Sequence, residues 1–390
     1  MDKKSVRDVD VKEKKVLVRC DFNVPLKNGV VADDGRIQAA LPTIRYLIEQ
    51  KAKVALCSHL GRPKGKPQAE FSLQPVAGRL SDILQAPVEI LNDCIGDEVE
   101  SAVADLQPGE VLLLENTRFH AGEKANDPDF AAKLARGFDL FVNDAFGTAH
   151  RAHASTEGVA HHLPAASGFL MAREIEALTR LKDNPAEPVA AIFGGVKISD
   201  KIGIIETFLN KSEILLIGGS MATMFLKVKG LEIGDSFIEN EGLDTAEEIM
   251  KKAGDKLILP EDVIIATQIR ENAENKQVPV NKVLPGWKIV DIGPKSIDLF
   301  INKLKEMKTI IWNGPLGVFE TKPFDKGTKA IAQGLAELNA EIYIGGGDSG
   351  AAVNQAQVAH KMTHVSTGGG AFLEFLEGKP LPGITALQDK

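Results

Sequence analysis

Short apolar runs alternate with amphipathic stretches along the whole chain. In the first half these runs are Val16–Val18, Val54–Leu56, Val111–Leu114 and Leu140–Val142. Each run is apolar at consecutive positions, which is typical of a parallel strand buried on both faces. The stretches between the runs predict helices. One of them is expected to begin at an Asp127 cap followed by Pro128, and to end near Gly137.

The same alternation returns in the second half of the chain. Its apolar runs are Val189–Phe193, Ile214–Ile217, Val263–Ile265, Thr309–Trp312, Glu341–Ile344 and His364–Ser366. Strands that alternate with helices indicate right-handed βαβ units, and therefore doubly wound parallel sheets. About twelve strands are too many for one comfortable sheet. The pattern thus predicts an α/β protein with two Rossmann-like domains, each built on its own parallel sheet.

The boundary between the predicted domains falls near Gly168. The segment Leu163–Gly168 is rich in small residues and is expected to be a loop. Residues Leu170–Lys182 then predict one charged helix, which ends at Asp183-Asn184-Pro185. A helix at a domain boundary is a candidate hinge. The sequence therefore predicts a first domain over residues 1–170, a hinge helix, and a second domain that starts at residue 171.

Composition and charge narrow the class of partner. The chain has 390 residues and a net charge of −8, which argues against a nucleic acid or a membrane surface as partner. Residues Met1–Lys4 lead into polar sequence, and no apolar run approaches the roughly 20 residues that a membrane span needs. The three cysteines, Cys20, Cys57 and Cys94, are expected to be buried reduced thiols, which fits a cytoplasmic protein.

Two polar residues, Asp21 and Asn23, directly follow the first predicted strand, Lys15–Cys20. Open α/β sheets bind ligands at the carboxyl ends of their strands. Positions two apart in an extended segment also face the same way, so both side chains could hydrogen-bond one hydroxylated ligand. An Asx-type turn that closes the strand before Pro25 explains the same residues equally well.

Basic residues lie at several other places in the first half. His59 and Arg62 flank Gly61 after the strand Lys53–Cys57, and Arg36 is expected in the loop Asp33–Gly35. Two more arginines follow later strands: Arg118 and Arg151. A single arginine at such a place is usually solvated, but several at one rim repel one another unless an anion lies between them. We therefore predict an anion site. The nearby histidines are expected to be structural or rim residues: His120, His150, His153, His161 and His162.

Glycine turns follow strands of the second half. Gly194-Gly195 precedes Lys197 and Lys201, whose spacing of four predicts a shared helical face. An ammonium group there would stabilise a transferring phosphate, although two solvated lysines on a helix give the same spacing. The second turn, Gly345–Ser349, opens a predicted helix whose backbone N–H groups suit phosphates. Within it, Asp348 could hold Mg²⁺ and Ser349 could donate to an oxygen.

Other residues and other functions remain open at this point. Glu320 could accept from a ribose hydroxyl or be a solvated acid. Gly345, Gly347 and Gly350 match the spacing of a nicotinamide-dependent dehydrogenase, but the following strand carries no acid for a ribose. A two-lobed anion-binding module, like a solute receptor, would need neither Lys197 nor the glycine turns, and would normally carry a secretion signal.

Taken together, these motifs are more specific than any one of them. The chain resembles bacterial-type phosphoglycerate kinases, in order and over essentially its whole length, in these segments: Asp21–Pro25, Ser58–Pro63, Glu115–Phe119, Asn143–Arg151, Gly194–Gly195 with Lys197, Trp312–Pro315 with Glu320, and Gly345–Ser349. The resemblance implies reversible phosphoryl transfer from ATP to 3-phosphoglycerate, which gives ADP and 1,3-bisphosphoglycerate in glycolysis and gluconeogenesis. It also implies a monomer in which residues from about 373 to 390 return to the first domain, so that the second domain covers 171–372.

The resemblance further implies a role for each site residue. Phosphoglycerate would be held by Asp21, Asn23, Arg36, His59, Arg62, Arg118 and Arg151. The nucleotide would be held by Lys197, Lys201, Asn313, Glu320, Gly346, Gly347, Asp348 and Ser349. Asp348 would carry Mg²⁺, and Arg36 and Lys197 would be the catalytic cations. Because the two ligands are expected on separate domains, we predict hinge closure around Phe169–Glu174.

Overall fold

All but one of the predicted buried runs form two parallel sheets within residues 2–390, the part of the chain that the computed structural model describes. The chain divides into two compact units. The first unit comprises the residues up to Thr179 together with Lys379–Lys390, and the second comprises Arg180–Gly378. The prediction of two parallel α/β sheets is confirmed. The predicted domain boundaries were at residues 170 and 373. Along the chain, the boundaries between these units fall after residues 179 and 378.

The first unit is built on a six-stranded parallel sheet with the order β5-β6-β4-β1-β7-β8. Its strands, with the short hairpin β2-β3, are β1 Lys15–Arg19, β2 Leu26–Lys27, β3 Val30–Val31, β4 Lys53–Cys57, β5 Glu89–Ile90, β6 Val111–Leu113, β7 Leu140–Asn143 and β8 Ala165–Ser167. Its helices are α1 Gly35–Glu49, α2 Gln74–Leu84, α3 Asp97–Asp105, α4 Ala121–Ala125 and α5 Pro128–Ala135. Helix α6 follows at Phe169–Asp183.

The second unit has its own six-stranded parallel sheet, in the order β11-β10-β9-β15-β16-β17. The strands of this unit are β9 Val189–Phe193, β10 Ile214–Ile217, β11 Leu257–Ile258, β12 Asp262–Ala266, β13 Asn275–Pro279, β14 Lys288–Ile292, β15 Thr309–Asn313, β16 Glu341–Gly345 and β17 His364–Val365. Its helices are α7 Ile202–Lys211, α8 Gly219–Val228, α9 Leu243–Ala253, α10 Pro294–Leu304, α11 Lys326–Leu335, α12 Gly347–Gln355 and α13 Gly369–Leu376. The last helix, α14 Pro382–Thr385, belongs to the first unit.

The apolar run Val263–Ile265 does not join the parallel sheet, and that part of the prediction is wrong. It forms β12, the centre of a separate antiparallel sheet in the order β13-β12-β14. A short buried run looks the same in a parallel and in an antiparallel sheet, because only its pairing partners distinguish the two. One face of β12 packs Val263 and Ile265 with Val283 in a small apolar cluster.

The segment predicted as a small-residue loop before Gly168 contains a strand, β8, so that prediction is also wrong. Small residues suit this strand because it is fully buried beside β7. Helix α6 then extends one residue beyond the predicted helix at each end. Its first turn is held by the buried Asp144, whose Oδ1 accepts from Met171 N at 3.1 Å, and by Thr43, whose Oγ1 accepts from Phe169 N at 2.8 Å. Whether α6 is a hinge stays a prediction.

Each unit has an apolar core between its sheet and its helices. In the first unit, Leu56 of β4 and Val18 of β1 pack with Ile44 of α1 and Leu80 of α2, all fully buried. In the second unit, the fully buried Trp312 of β15 belongs to a core with helices α10, α11 and α12. The predicted start of α5 is confirmed, because Asp127 Oδ1 accepts from Phe130 N at 2.8 Å. Within residues 2–390, no helix combines the length and the apolar character needed to cross a membrane.

Candidate functional site

The loop after β1 brings together three of the predicted residues. Asp21 Oδ1 accepts from Asn23 N at 3.2 Å, so the Asx-type turn is formed. The other carboxylate oxygen, Asp21 Oδ2, accepts from Arg36 Nη1 at 2.7 Å. Asn23 Oδ1 accepts from Gly61 N at 2.9 Å and thereby ties this loop to the one after β4. The two explanations of Asp21 are therefore compatible, since one carboxylate closes the turn and positions an arginine.

Arg36 does not lie in a loop, as predicted, but is the second residue of helix α1. The start of this helix is held by Asp34, whose Oδ2 forms an ion pair with Arg79 Nη2 of α2 at 2.6 Å. Sequence reasoning stopped the loop too late because Asp33, Asp34 and Gly35 all favour turns. Because Arg36 lies in the first turn of α1, its main chain is held in the helix. Its exposed side chain reaches Asp21 from there.

Arg118 is the most deeply buried of the predicted arginines, with 7% exposure. Its backbone N donates to Asn116 Oδ1 at 3.0 Å, and its Nη1 donates to Gly61 O at 2.8 Å. Its Nε is buried and has no hydrogen-bond partner. Burial, with help from Arg19 and Arg151, lowers the pKa of Arg118 to about 10. A buried guanidinium with a free donor is suited to an anion.

The turn at Gly61 requires glycine, because its φ is +60° and a Cβ would lie 2.3 Å from Phe71 Cδ1. Asn116 clamps this turn from below, donating through Nδ2 to Leu60 O at 2.7 Å and to Phe71 O at 2.8 Å. Arg62 follows in the same turn and is exposed. Within the described residues 2–390, its side chain makes no hydrogen bond or ion pair, so no contact joins it to the other arginines.

His59 lies at the end of β4 and has a buried partner that sequence reasoning missed. Arg19, only 1% exposed, donates from Nη2 to His59 Nδ1 at 3.0 Å. Arginine can only donate, so Nδ1 of His59 must accept and its proton must reside on Nε2. Burial is the main reason that the pKa of His59 lies well below its usual value. Four positive charges lower this pKa further, those of Arg19, Arg118, Arg36 and Arg151. His59 is therefore a neutral Nε2–H donor close to four arginines.

The positive charge of Arg19 is balanced inside the unit. Its Nε donates to Ser155 Oγ at 2.8 Å, and Ser155 Oγ donates in turn to Glu123 Oε1 at 2.6 Å. Glu123 is fully buried and also accepts from Ser155 N at 2.9 Å. A buried charge without such a network is strongly destabilising. The signal in the sequence was an arginine inside the apolar run of β1.

Arg151 is exposed and donates from Nε to His150 Nε2 at 3.1 Å. Burial lowers the pKa of His150 and of His153 to about 4, assisted by Arg151 in both cases and by Arg118 at His153. The Nδ1 atoms of both histidines are buried and unpaired. The structure thus gathers Arg36, His59, Arg118 and Arg151 into one cationic cluster with unpaired polar nitrogens around it.

The second unit contains a cavity of about 380 Å³. Its polar and charged lining includes several predicted residues, namely Lys197, Lys201, Glu320 and Asp348. Its apolar lining includes Leu226, Pro260, Val263, Leu316 and Val318. Such a combination of apolar wall and few charged groups is typical of small-molecule pockets. Three glycines of the strand-to-helix turns also line it, namely Gly195, Gly219 and Gly314.

The cavity lies at the point where the strand order of the second sheet reverses, between β9 and β15. Here the two loops approach so closely that Gly194 N donates to Asn313 O at 3.0 Å. A Cβ on Gly194 would lie 2.1 Å from Pro315 O, and one on Gly314 would lie 2.3 Å from Gly194 O. Open α/β sheets bind ligands at such reversal points.

Lys197 and Lys201 do not share a helical face, so the predicted arrangement is wrong. Lys197 follows the bend at Gly195 and Val196, and Lys201 ends the 3-10 turn Ser199–Lys201 that precedes α7. Both nevertheless line the cavity. Lys201 Nζ donates to Gly194 O at 2.7 Å, and burial lowers its pKa to about 8 against the opposing effect of Asp200 and Asp348.

Helix α12 begins at the turn after β16, where Gly346 has φ +97°. Asp348 lies in its first turn and is exposed. Two other predicted residues point inward. Ser349 Oγ accepts from Gly314 N at 2.7 Å, and Asn313 Nδ2 donates to Gly345 O at 2.8 Å. Both side chains join the loop after β15 to the start of α12.

A buried acid, Asp291 of β14, also lines the cavity and was missed. Its Oδ2 accepts from Gly327 N at 2.6 Å and its Oδ1 from Ile292 N at 2.9 Å. Burial raises the pKa of Asp291 well above its usual value. An acid within the apolar run of a strand was the available signal, as for Arg19. The antiparallel sheet thus supplies part of the cavity wall.

A cationic cluster on one parallel sheet and a glycine-lined cavity with two lysines on another define a two-domain α/β enzyme that handles anions. The sequence model of the phosphoglycerate kinase family matches residues 6–379. The chain therefore belongs to the phosphoglycerate kinase family.

Individual relatives agree with this assignment. The chain is 55% identical over the full length of both proteins to phosphoglycerate kinase from Pelotomaculum thermopropionicum, and 51% identical, with 99% of the relative covered, to that from Rubrobacter xylanophilus. It is also similar to the structure of phosphoglycerate kinase from Coxiella burnetii, with 44% identity and a TM-score of 0.86. The structure from Pyrococcus horikoshii gives 33% identity and a TM-score of 0.88, and both alignments cover 98% of each chain.

Proposed function

We propose that this protein transfers the γ-phosphoryl group of ATP reversibly to the carboxylate of 3-phosphoglycerate. A carboxylate oxygen forms the new bond to phosphorus, the bond to the β-phosphate oxygen breaks, and the products are ADP and 1,3-bisphosphoglycerate. Family membership supports this reaction as one of glycolysis and gluconeogenesis.

The cationic cluster of the first unit is the observation that carries the proposal. Arg118 Nε, His150 Nδ1 and His153 Nδ1 are all buried without a hydrogen-bond partner. Buried polar groups in proteins are almost always paired. Guanidinium groups so close to one another also gain when an anion lies among them, and 3-phosphoglycerate carries both a phosphate and a carboxylate.

Within this cluster, the proposed phosphoglycerate ligands are Asp21, Asn23, Arg36, His59, Arg62, Arg118 and Arg151. The neutral Nε2–H of His59 suits a phosphate or carboxylate oxygen, because it donates without titrating in the physiological range. Besides binding the ligand, Asp21 and Asn23 would position other parts of the site. Asp21 accepts a hydrogen bond from Arg36, and Asn23 accepts one from Gly61 N in the turn after β4.

The cavity of the second unit is the proposed nucleotide site. Lys197, Lys201 and Glu320 line it, and Gly346 and Gly347 open the helix that carries Asp348. Asn313 and Ser349 hold that turn in place from below. The apolar lining suits an adenine ring, and the N–H groups at the start of α12 suit phosphates.

The residues present fit Mg²⁺. Asp348 is an exposed carboxylate beside the glycine turn, and Mg²⁺ commonly takes one such oxygen together with water and substrate phosphates. We therefore propose that Asp348 holds Mg²⁺. When bound, the ion would neutralise charge on the nucleotide phosphates.

The acceptor is a carboxylate, which is ionised at neutral pH, so the reaction needs no general base. What remains for the protein is to hold two anions in line and to stabilise the charge that spreads over the transferring group. We assign this to Arg36 and Lys197.

Closure at the hinge helix, around Phe169–Glu174, would bring the ligands together and exclude water that would otherwise hydrolyse ATP. Small-angle scattering should show a smaller radius of gyration with both substrates present, and an unchanged radius would count against closure.

The reaction itself is tested by measuring ATP consumption with 3-phosphoglycerate, with and without Mg²⁺. We expect consumption only when all three are present. ATP loss at the same rate without 3-phosphoglycerate would indicate an ATPase and would refute the proposal. We further propose that the enzyme acts in the cytoplasm as a monomer; Cys20, Cys57 and Cys94 are buried free thiols, which fits a reducing compartment.

A further inference from the structure

Three side chains of different metal-binding type meet in the first unit, apart from the residues assigned above. Asp93 and Cys94 lie in the loop after β5, and His120 follows the 3-10 turn Thr117–Phe119. A carboxylate oxygen of Asp93, the Cys94 sulfur and an imidazole nitrogen of His120 all lie within 4.8 Å of one another. The two segments are distant along the chain, so the local pattern of residues does not predict this cluster.

The three groups are held in place by contacts of their own. His120 Nε2 lies 2.6 Å from Asp93 Oδ1, and the His120 ring stacks on Phe130 with 5.1 Å between ring centroids. Cys94 N donates to Asp93 Oδ1 at 2.6 Å, and Glu115 N donates to Asp93 O at 3.3 Å. The ligand atoms therefore converge without any rearrangement of the main chain.

Burial differs among the three in a way that suits a site open on one side. Cys94 is 1% exposed, whereas the side chains of Asp93 and His120 are 48% and 29% exposed. The sulfur thus lies at the base, and the oxygen and nitrogen lie at the solvent side. A bound cation would favour the thiolate form of Cys94.

We propose that Asp93, Cys94 and His120 form a binding site for a divalent transition-metal ion such as Zn²⁺. Sulfur, imidazole and carboxylate ligands are the set that Zn²⁺ and Co²⁺ take, while Mg²⁺ prefers oxygen alone. Three protein ligands leave one tetrahedral position for water. The site is therefore distinct from the proposed Mg²⁺ position at Asp348.

The geometry needs only small side-chain changes. Bonds of about 2.0–2.3 Å place the ligand atoms of a tetrahedral site about 3.3–3.7 Å apart. The Asp93–His120 pair must open from 2.6 Å, and the widest separation in the cluster must close from 4.8 Å or less. On loading, Cys94 releases its thiol proton to solvent. His120 releases to solvent the Nε2 proton that it donates to Asp93 Oδ1, and it holds one proton on Nδ1, so that Nε2 is free to bind the ion.

A bound metal ion would also affect the proposed phosphoglycerate site, through the turn that contains Arg118. His120 ends the turn that contains Arg118, and its N donates to Thr117 O at 3.2 Å. A bound ion would therefore fix this turn against the loop after β5. We expect thermal unfolding to shift upward by about 3–5 °C at saturating Zn²⁺, because the ion binds the folded state alone.

The test titrates the full-length protein, freed of metal by chelation, with Co²⁺ in the presence of excess Mg²⁺. We expect one Co²⁺ per chain and a near-ultraviolet thiolate-to-cobalt charge-transfer band, which Zn²⁺ then abolishes by displacement. Cys94→Ser and His120→Gln should each weaken binding at least about tenfold, by loss of one ligand. Cys57→Ala is the matched control, because it removes an equally buried thiol of β4 outside the cluster and should keep the band.

Two results would overturn the proposal. One is a folded wild-type protein that develops no charge-transfer band at millimolar Co²⁺. The other is a band that persists in Cys94→Ser and His120→Gln or disappears in Cys57→Ala. Circular dichroism identifies any variant that fails to fold; should Cys94→Ser do so, His120→Gln, at a side chain that is 29% exposed, decides the question alone.

Discussion

The proposed anion sites of the two units are built by different means. The first gathers charged side chains, with Arg19, Arg36, Arg118 and Arg151 all acting on His59. The second relies on main chain brought close by glycines, and its Lys201 Nζ donates to Gly194 O at 2.7 Å. Charged side chains thus determine the character of the first proposed site, and close packing between loops determines the shape of the second.

This difference has an energetic consequence. In the first unit burial, and then repulsion by the guanidinium groups of Arg19 and Arg151, lowers the pKa of Arg118 to about 10. Repulsion of this kind is relieved when an anion binds. In the second unit a Cβ added at Gly194, Gly219 or Gly314 would lie less than 3 Å from main-chain oxygen of a neighbouring loop. The first site should therefore be sensitive to loss of charge, and the second to added volume.

The largest expected effect is on catalysis by Arg36→Ala. Removing one preorganised charge that acts on the transition state costs on the order of 3 kcal/mol, or about a hundredfold in kcat. Steady-state kinetics should show this loss with little change in KM for ATP, and Lys197→Ala should lower kcat similarly. Arg45→Ala is the matched control, since Arg45 lies on the same helix and donates only to Ile83 O. Equal losses of kcat and ATP affinity in Arg36→Ala would contradict a catalytic role.

The second prediction adds volume instead of removing charge. In Gly194→Ala the new Cβ would lie 2.1 Å from Pro315 O, which is main chain and cannot rotate away. Overpacking costs about 1–3 kcal/mol, so ADP affinity should fall about tenfold to a hundredfold if the cost falls on the bound state. Calorimetric titration measures this, and 3-phosphoglycerate affinity should stay unchanged.

Gly78→Ala provides the control for added volume. Gly78 lies within helix α2, and a Cβ there has nothing within 4 Å. Alanine is a better helix former by about 1 kcal/mol, so stability should rise slightly and ligand affinities should not change. If Gly194→Ala bound ADP as tightly as Gly78→Ala, close loop packing would not be what shapes the cavity.

The contrast also explains what the sequence could predict. Buried parallel strands and the residues at their carboxyl ends follow from local pattern, so Asp21, His59 and Arg118 were placed correctly after their strands. Arg19 was missed because it lies inside an apolar run, where the pattern was taken only as a strand. Its role depends on Ser155 and Glu123, which are brought to it by folding.

Pairing between distant segments was the other limit. The run at Val263–Ile265 carries no mark of its antiparallel partners β13 and β14, so the wall that includes Asp291 could not be foreseen. The spacing of Lys197 and Lys201 suggested a helix, but the bend at Gly195 and Val196 delays the helix until Ile202. Both lysines reach the cavity by loop geometry, which spacing alone does not encode.

A smaller effect should distinguish the two sites by pH. The pKa of Lys201 is lowered to about 8, so its ammonium group loses its proton as the pH rises through about 8. A bound phosphate favours the protonated form, so ADP affinity, measured without added metal, should fall about tenfold between about pH 7 and about pH 9.5. Phosphoglycerate affinity should stay level up to about pH 9, since the pKa of Arg118, which burial lowers, is still about 10.

Lys201→Arg is the control for this pH profile, because guanidinium remains charged throughout the range. The variant should bind ADP with an affinity that does not change near pH 8. An unchanged inflection in Lys201→Arg would show that another group is responsible for it.

The last prediction concerns the His59 imidazole, which should not take up a proton in the pH range where histidine normally titrates. Its Nδ1 accepts from Arg19, and burial and four arginines hold its pKa well below 6.5. Nitrogen chemical shifts should therefore report one neutral tautomer with the proton on Nε2 from about pH 8 down to about pH 5.5. His59→Gln identifies the resonance by removing it. The unfolded chain takes up a proton near pH 6.5 that folded His59 does not, so the free energy of unfolding should decrease as the pH falls below this value. A His59 resonance with a midpoint near 6.5, or with the proton on Nδ1, would mean that Arg19 does not set the tautomer and that the first site depends less on its arginines than its geometry indicates.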